Sequence, residues 1–259
     1  IILASCCDSV ICSRYDLKWT TPGSLAFVRK FVCPQNQWMQ LLNLSMSQLK
    51  VQLKSDAAFL GMGRNGRAFR IEDSDGRALA LKIVLTPDDG LVHTVFAEHS
   101  TLRCLKDKNL PVVTVMGEDA VCVYAEDDDQ CLGVCYVMEE LGTPVTVGNA
   151  DDLRSVFMLL FALHSQKEFH GDPRLPNIIC FEGKLLWIDF STLHVLKTEE
   201  FLKLCFAKDI RILTESVSKC CTMRIDESPE FDECVSTYAN DPSEQHLDTF
   251  LSMFSEFIP

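Results

Sequence analysis

The spacing of apolar and polar positions changes along the chain, and the change divides it. From Ala57 to Leu85, "AAFLGMGRNGRAFRIEDSDGRALALKIVL" holds short β-rich runs separated by a glycine-rich stretch and by Asp75-Gly76, which predicts three antiparallel strands. In "DDGLVHTVFAEHSTLRCLKDK" the residues Val92, Val95, Phe96, His99 and Leu102 fall near helical spacing. Short strands are expected next through "VTVMG", "AVCVYAE" and "GVCYVMEE". "DDLRSVFMLLFALHSQ" reads as a helix with acids at its dipole-favoured start and Leu153, Val156, Phe157, Leu160 and Leu163 on one face. A hairpin around Glu182-Gly183 follows in "NIICFEGKLLWIDF", then helical patterns over 199–219 and 244–257. The first 50 residues are harder to read: "TTPGS" marks a turn, and "QWMQLLNLSM" is apolar without a clean period.

Strands first and helices second predict an α+β fold of two lobes. The expected division is an extension of unclear role over 1–50, a strand-rich lobe over 51–140 and a helical lobe over 141–259. "EELGTPV" at 139–145 marks the boundary, and such a boundary is a natural cleft.

Composition narrows the function classes. The 259 residues, 47% apolar, can bury a sizeable core or two small lobes. A formal charge of -13 with no basic stripe argues against nucleic acid and membrane surfaces as partners. No apolar run approaches the roughly 18 residues that a membrane span needs. The thirteen cysteines are odd in number, scatter through apolar runs and make no zinc-ligand pattern, so reduced thiols and an intracellular reducing compartment, cytoplasm or nucleus, are expected. Asp127 to Asp129 reads as a solvated loop. The chain opens without an initiator methionine and reads as a piece of something longer. It shows no internal repeat.

Four separated segments carry candidate chemistry. "GMGRNGRA", with Gly61, Gly63 and Gly66, lets backbone N–H groups approach a phosphate, or is only a turn. Its place between strands, not before a helix, favours a flap over phosphates against a dinucleotide-binding turn. Lys82 sits in the apolar strand "LALKIV" and needs a carboxylate or phosphate if its end points inward; otherwise it snorkels from an edge. Glu98, on the following helix, is either its partner or a solvated glutamate. "HGDPRLPN" and "WIDFS" bring Asp172, Asn177 and Asp189, hard oxygen donors that suit magnesium and a hydroxyl proton. Asp189 ends an apolar run, where a carboxylate is costly unless it meets a cation.

As a set and in this order, these residues resemble the protein kinase-like superfamily over roughly 55–215, whose members carry GxGxxGxV, a strand lysine, a helix glutamate, HRDxxxxN and DFG. The resemblance implies that Gly61, Gly63, Gly66 and Ala68 cover ATP phosphates, and that Lys82 contacts the α- and β-phosphates with Glu98 positioning it. It implies an adenine pocket at Ala80 and a hinge from Met138 through Glu139 to Leu141, with Asp172 as catalytic base and Asn177 and Asp189 as Mg2+ ligands. Arg174 stands where many kinases have a lysine and can offset charge on the transferred group. His170, His164 and Trp187 are expected to be structural, and Asp209 looks like the buried aspartate behind the catalytic loop. Gly171 replaces the arginine of HRD, as in small-molecule phosphotransferases whose loop reads HGD; Ser191 replaces the DFG glycine. No APE motif lies between Ser191 and Asp209, so the peptide-docking segment is expected to be missing or reduced.

"GRNGRAFRI", "ALKIV", "HGDPRLPNII" and "WIDFS" together look most like the kinase-like C-terminal domains of Crinkler-type effectors of oomycetes and fungi. That likeness implies a protein secreted to act inside a host cell. The expected activity is ATP- and magnesium-dependent phosphoryl transfer to protein serine or threonine. A small-molecule acceptor and a pseudokinase-like, nucleotide-binding interaction module are the alternatives.

Overall fold

The computed structural model describes residues 2–6, 9–15, 37–54, 58–63, 66–86, 89–125, 131–190, 198–221 and 228–254. The turn expected at "TTPGS", the solvated loop expected at Asp127 to Asp129, and Ser191 lie outside them. Strands β1 (Ile2–Cys6) and β2 (Ser9–Tyr15) form a separate antiparallel hairpin. The main sheet follows a helix α1 over 37–49 and contains β3 (Gln52–Leu53), β4 (Phe59–Met62), β5 (Gly66–Glu72), β6 (Ala78–Leu85), β7 (Val121–Tyr124) and β8 (Cys131–Met138). Its order is β3-β5-β6-β8-β7, with β4 also paired to β5. The three strands expected after Ala57 are therefore β4, β5 and β6, consecutive and antiparallel.

The two faces of this sheet bury different partners. Leu79, Leu81 and Ile83 of β6, with Cys135 and Val137 of β8, share a core with Leu41 and Leu42 of α1. A Cβ at Gly133 would lie 2.5 Å from the Val84 carbonyl oxygen and 2.6 Å from Leu41, so glycine there lets α1 and β6 approach. On the opposite face, Ala80, Val84, Val134, Tyr136 and Met138 pack with Val95, Leu102 and Leu105 of helix α2 (Asp89–Asp107). Alternation along the strands thus puts Lys82 and Tyr136 on the α2 side.

That second core continues into the helical part. Helix α3 (Ala150–His164) starts on Asn149, whose side chain accepts from the Asp152 N–H, and buries Leu153, Val156, Phe157, Leu160 and Leu163. A three-stranded sheet follows, β9 (Thr143–Pro144) pairing β10 (Ile178–Phe181), which pairs β11 (Lys184–Trp187). The β10–β11 turn has φ of +49° at Glu182 and +77° at Gly183, the double positive φ of a tight hairpin. Helices α4 (Glu199–Cys221), α5 (Pro229–Asn240) and α6 (Glu244–Ser252) complete the fold.

Two sequence expectations change. "VTVMG" forms no strand: Val112, just before it, bridges Trp187 and Val115 within it bridges Met138, each singly, so the chain here spans from one sheet to the other. Pro111, two residues ahead of it, lacks a backbone donor, and the Val113 and Met116 N–H groups go to the Trp187 and Val137 carbonyls respectively. The pattern over 244–257 gives helix only to Ser252, and Phe254 is buried just beyond it.

Candidate active site

Three elements deliver charge to one point. Lys82, in the middle of β6, donates from Nζ to Glu98 Oε1 at 2.7 Å and Oε2 at 2.9 Å, and to Asp189 Oδ1 at 2.7 Å. Glu98 comes from α2 and is 6% exposed. Asp189 follows β11 with a left-handed φ of +62°, uncommon outside glycine, which places its carboxylate toward the lysine. Burial works against the Lys82 charge, but attraction to Glu98, Tyr136 and Asp189 prevails and holds the ammonium well above the usual lysine range. Burial dominates at Glu98 and raises it above the usual carboxylate range despite Lys82. At Asp189 burial is opposed and outweighed by Lys82, and the carboxyl is lowered.

The glycine-rich strand covers this point. Gly63 donates its N–H to the Gly66 carbonyl at 2.9 Å, closing the β4–β5 hairpin, and a Cβ on Gly63 would lie 4.0 Å from Asp189 Oδ2. At Gly66 a Cβ would crowd the Ile83 carbonyl oxygen at 3.2 Å, whereas Gly61 has open space around it. Ala68 pairs with both Gly61 and Lys82, and Ala80 pairs with Met138 at the end of β8. Met138, the last residue of β8, is buried, and on the segment that leads away Glu139 is exposed and Leu141 half-buried. Between Glu139 and Leu141, Glu140 is held firmly: it accepts from the Thr114 N–H at 2.6 Å, the Thr114 hydroxyl at 2.8 Å and Lys106 at 3.1 Å.

The loop from His170 to Asn177 is built on Asp209 of α4. This fully buried carboxylate accepts from the His170 N–H at 2.7 Å and the Gly171 N–H at 3.0 Å. Gly171 has φ of +87°, a conformation in which an arginine would be strained. The His170 ring stacks on Phe190 at 4.3 Å and leans on Trp187 at 4.5 Å. Its Nδ1 accepts from the Asp172 N–H at 3.3 Å and its Nε2 donates to the Ile188 carbonyl at 3.1 Å, the pattern of a neutral ring. Burial lowers His170 below the usual imidazole range, consistent with a packing role.

Asp172 and Asn177 meet at the loop's mouth. The Asn177 amide donates to the Asp172 carbonyl at 2.9 Å and approaches Asp172 Oδ2 at 3.5 Å, while Arg174 donates to that same oxygen at 2.7 Å. Ile188 donates its N–H to the Asn177 carbonyl at 2.9 Å, which ties the loop to the residue before Asp189. Among the described residues, no three His, Cys, Asp or Glu side chains gather to hold a metal alone. The Asp189 carboxylate and the Asn177 amide oxygen are oxygen donors of the kind magnesium takes, and magnesium keeps waters and substrate phosphates as its other ligands.

Two contributors escape sequence reading. Tyr136 donates its hydroxyl to Glu98 Oε1 at 2.8 Å, and the Glu140–Thr114–Lys106 network fixes the chain after β8. The first has one signal, a hydroxyl inside the apolar run "GVCYVM"; the second pairs residues 26 and 34 positions apart and leaves none.

This architecture matches solved kinases. The chain superposes on an amicoumacin kinase, hAmiN, in complex with AMP-PNP, Ca2+ and Ami, with a TM-score of 0.56 and 13% identity, covering 85% of this chain and 79% of that one. It superposes on the Rio2 kinase of Chaetomium thermophilum, in its ADP/Mg2+-phosphoaspartate complex, with a TM-score of 0.51 and 14% identity, covering 82% and 69%. In sequence it is 21% identical over 152 residues to the "Probable serine/threonine-protein kinase mps1" of Dictyostelium discoideum, which is 55% of this chain but only 15% of that protein. No protein-family model matches. The fold is protein kinase-like and α+β, a strand-rich curled sheet followed by a helical part. Among the described residues no helix is long and apolar enough to cross a membrane.

Proposed function

We propose that this chain is an ATP- and magnesium-dependent phosphotransferase, with 51–140 as the nucleotide-covering lobe and 141–259 as the catalytic lobe. The observation that carries the reading is the meeting of Lys82, Glu98 and Asp189, from β6, α2 and the segment after β11, beneath Gly63. Gly61, Gly63, Gly66 and Ala68 cover the phosphates. Ala80 and the segment Met138, Glu139 and Leu141 take the adenine. Lys82, steadied by Glu98, turns from Asp189 to the phosphate oxygens, and Asn177 and Asp189 hold magnesium. Magnesium held there would offset the charge of the phosphate oxygens. Asp172 takes the proton of the acceptor hydroxyl, and Arg174, now on Asp172, swings to the transferred group.

Protein serine or threonine is the first acceptor class. A small molecule is the second, favoured by the HGD loop with its left-handed Gly171 and by the likeness to an amicoumacin kinase. A place among Crinkler-type effectors, acting inside a host cell, rests on the sequence resemblance. With panels of protein and small-molecule acceptors, the wild-type chain should consume ATP and transfer phosphate. Asp172→Ala should lose about 100-fold or more of that turnover at nearly unchanged nucleotide affinity. Equal turnover in the two would overturn the assignment, and nucleotide binding without turnover in the wild type would leave an interaction module.

A further inference from the structure

Tyr136 stands out as a buried hydroxyl in a stretch that asks only for apolar bulk. Every residue of β8 from Gly133 to Met138 is buried, and phenylalanine would fill the same space without a hydroxyl to desolvate. The hydroxyl is spent on Glu98 Oε1 at 2.8 Å. Tyr136 and Lys82 are direct partners across β6 and β8, so both side chains leave the sheet toward α2, with the ammonium 5.8 Å from the ring centroid. From α2, His99 sets its ring edge-on to Tyr136 at 5.7 Å, which walls the phenol in place.

The two donors to Glu98 differ in what else they must do. Lys82 also bonds Asp189 Oδ1 at 2.7 Å, and in the phosphotransferase reading its ammonium must reach phosphate oxygens as well. Tyr136 has one proton to give and gives it to Glu98. Burial, joined by the Glu98 charge, keeps the phenol well above its ordinary range, so the donor persists across working pH. Without it, the Glu98 carboxylate would depend on a lysine whose other bonds change as nucleotide arrives.

We propose that Tyr136 is a positioning residue, whose hydroxyl fixes the Glu98 carboxylate so that Lys82 stays aimed when its remaining hydrogen bonds pass from Asp189 to phosphate. This rests on the phosphotransferase reading for its purpose, but not for its test. Tyr136→Phe keeps the ring and removes the bond. The full chain is compared as wild type, Tyr136→Phe, Glu98→Ala and the double variant, with two readouts.

The first is proton exchange of the Lys82 ammonium, followed by lysine 15N NMR without nucleotide and assigned by loss of the signal in Lys82→Arg. The second is steady-state ATP turnover with magnesium. Tyr136→Phe should speed Lys82 exchange about fivefold or more and lower kcat about tenfold, with KM for ATP within about twofold. The double variant should be no slower than Glu98→Ala, because both changes remove one interaction. Unaltered Lys82 exchange in Tyr136→Phe, or kcat losses that multiply in the double variant, would overturn the proposal. If the wild type turns over no ATP, the phosphotransferase reading falls, while Lys82 exchange still decides the role of Tyr136.

Discussion

Glu98 and Asp209, two of the carboxylates buried among the described residues, are satisfied in opposite ways. Glu98 meets a cation, Lys82, and a hydroxyl, Tyr136. Asp209 meets backbone: the His170 and Gly171 N–H groups, with the His164 imidazole at 3.4 Å. His164 accepts the Tyr238 hydroxyl on Nδ1 at 3.0 Å, which leaves its Nε2 hydrogen for Asp209. A backbone donor cannot turn away, so the Asp209 cluster is a fixed mount for the loop that carries Asp172. An ammonium on a flexible stem can turn, so the Glu98 cluster can exchange partners with a ligand. Rigidity lies under the loop, and adjustability lies where phosphate is expected.

The sharpest way to break this contrast is to delete each acid. Asp209→Ala strands two buried N–H donors and should cost roughly 2–4 kcal/mol in urea unfolding. Glu98→Ala leaves Lys82 with Asp189 and should cost less than half as much, while lowering turnover further than stability. Equal losses would erase the distinction between mount and moving part.

A smaller effect separates the clusters by pH. Burial lowers His164 below the usual imidazole range, with Asp209 opposing, so the unfolded chain takes a proton near pH 6.5 that the folded chain refuses. The stability this neutral ring contributes is present above that pH and is lost as pH falls toward the depressed value. The slope from this group is at most about 1.4 kcal/mol per pH unit. Unfolding of wild type minus His164→Gln between pH 7.5 and 5 should show it; parallel curves would mean that folding leaves the protonation of His164 unchanged. The Lys82 contribution has the opposite sign: its raised value stabilises below the ordinary lysine range and fades only in strong alkali.

The same contrast explains what could be read in the sequence. Lys82 and Asp189 stand out in the sequence because each interrupts or ends an apolar run, whereas Glu98, Asp172 and Asn177 join them through the kinase-like resemblance. The hairpins at Asp75-Gly76 and Glu182-Gly183 are legible from turn chemistry alone. Helix α1 was hidden because its buried stripe, Leu41, Leu42 and Ser45, includes a polar residue while Met39 on the same helix is exposed. Helix α5 has its own signal, Ser228 capping ahead of Pro229, with Phe231, Val235 and Tyr238 at helical spacing. "VTVMG" has strand composition, but its backbone serves two sheets and joins neither as a strand. Tyr136 and Glu140 needed the fold, since their partners are remote in sequence.

The central claim is that Lys82, Asp189 and the glycine-rich strand form one magnesium–nucleotide site. It is tested most directly by calorimetric titration of ATP, with and without magnesium, into wild type and Asp189→Ala. The account predicts binding that strengthens with magnesium in the wild type, and a loss of about tenfold or more, together with the magnesium dependence, in the variant. Identical affinity in both proteins, indifferent to magnesium, would contradict it.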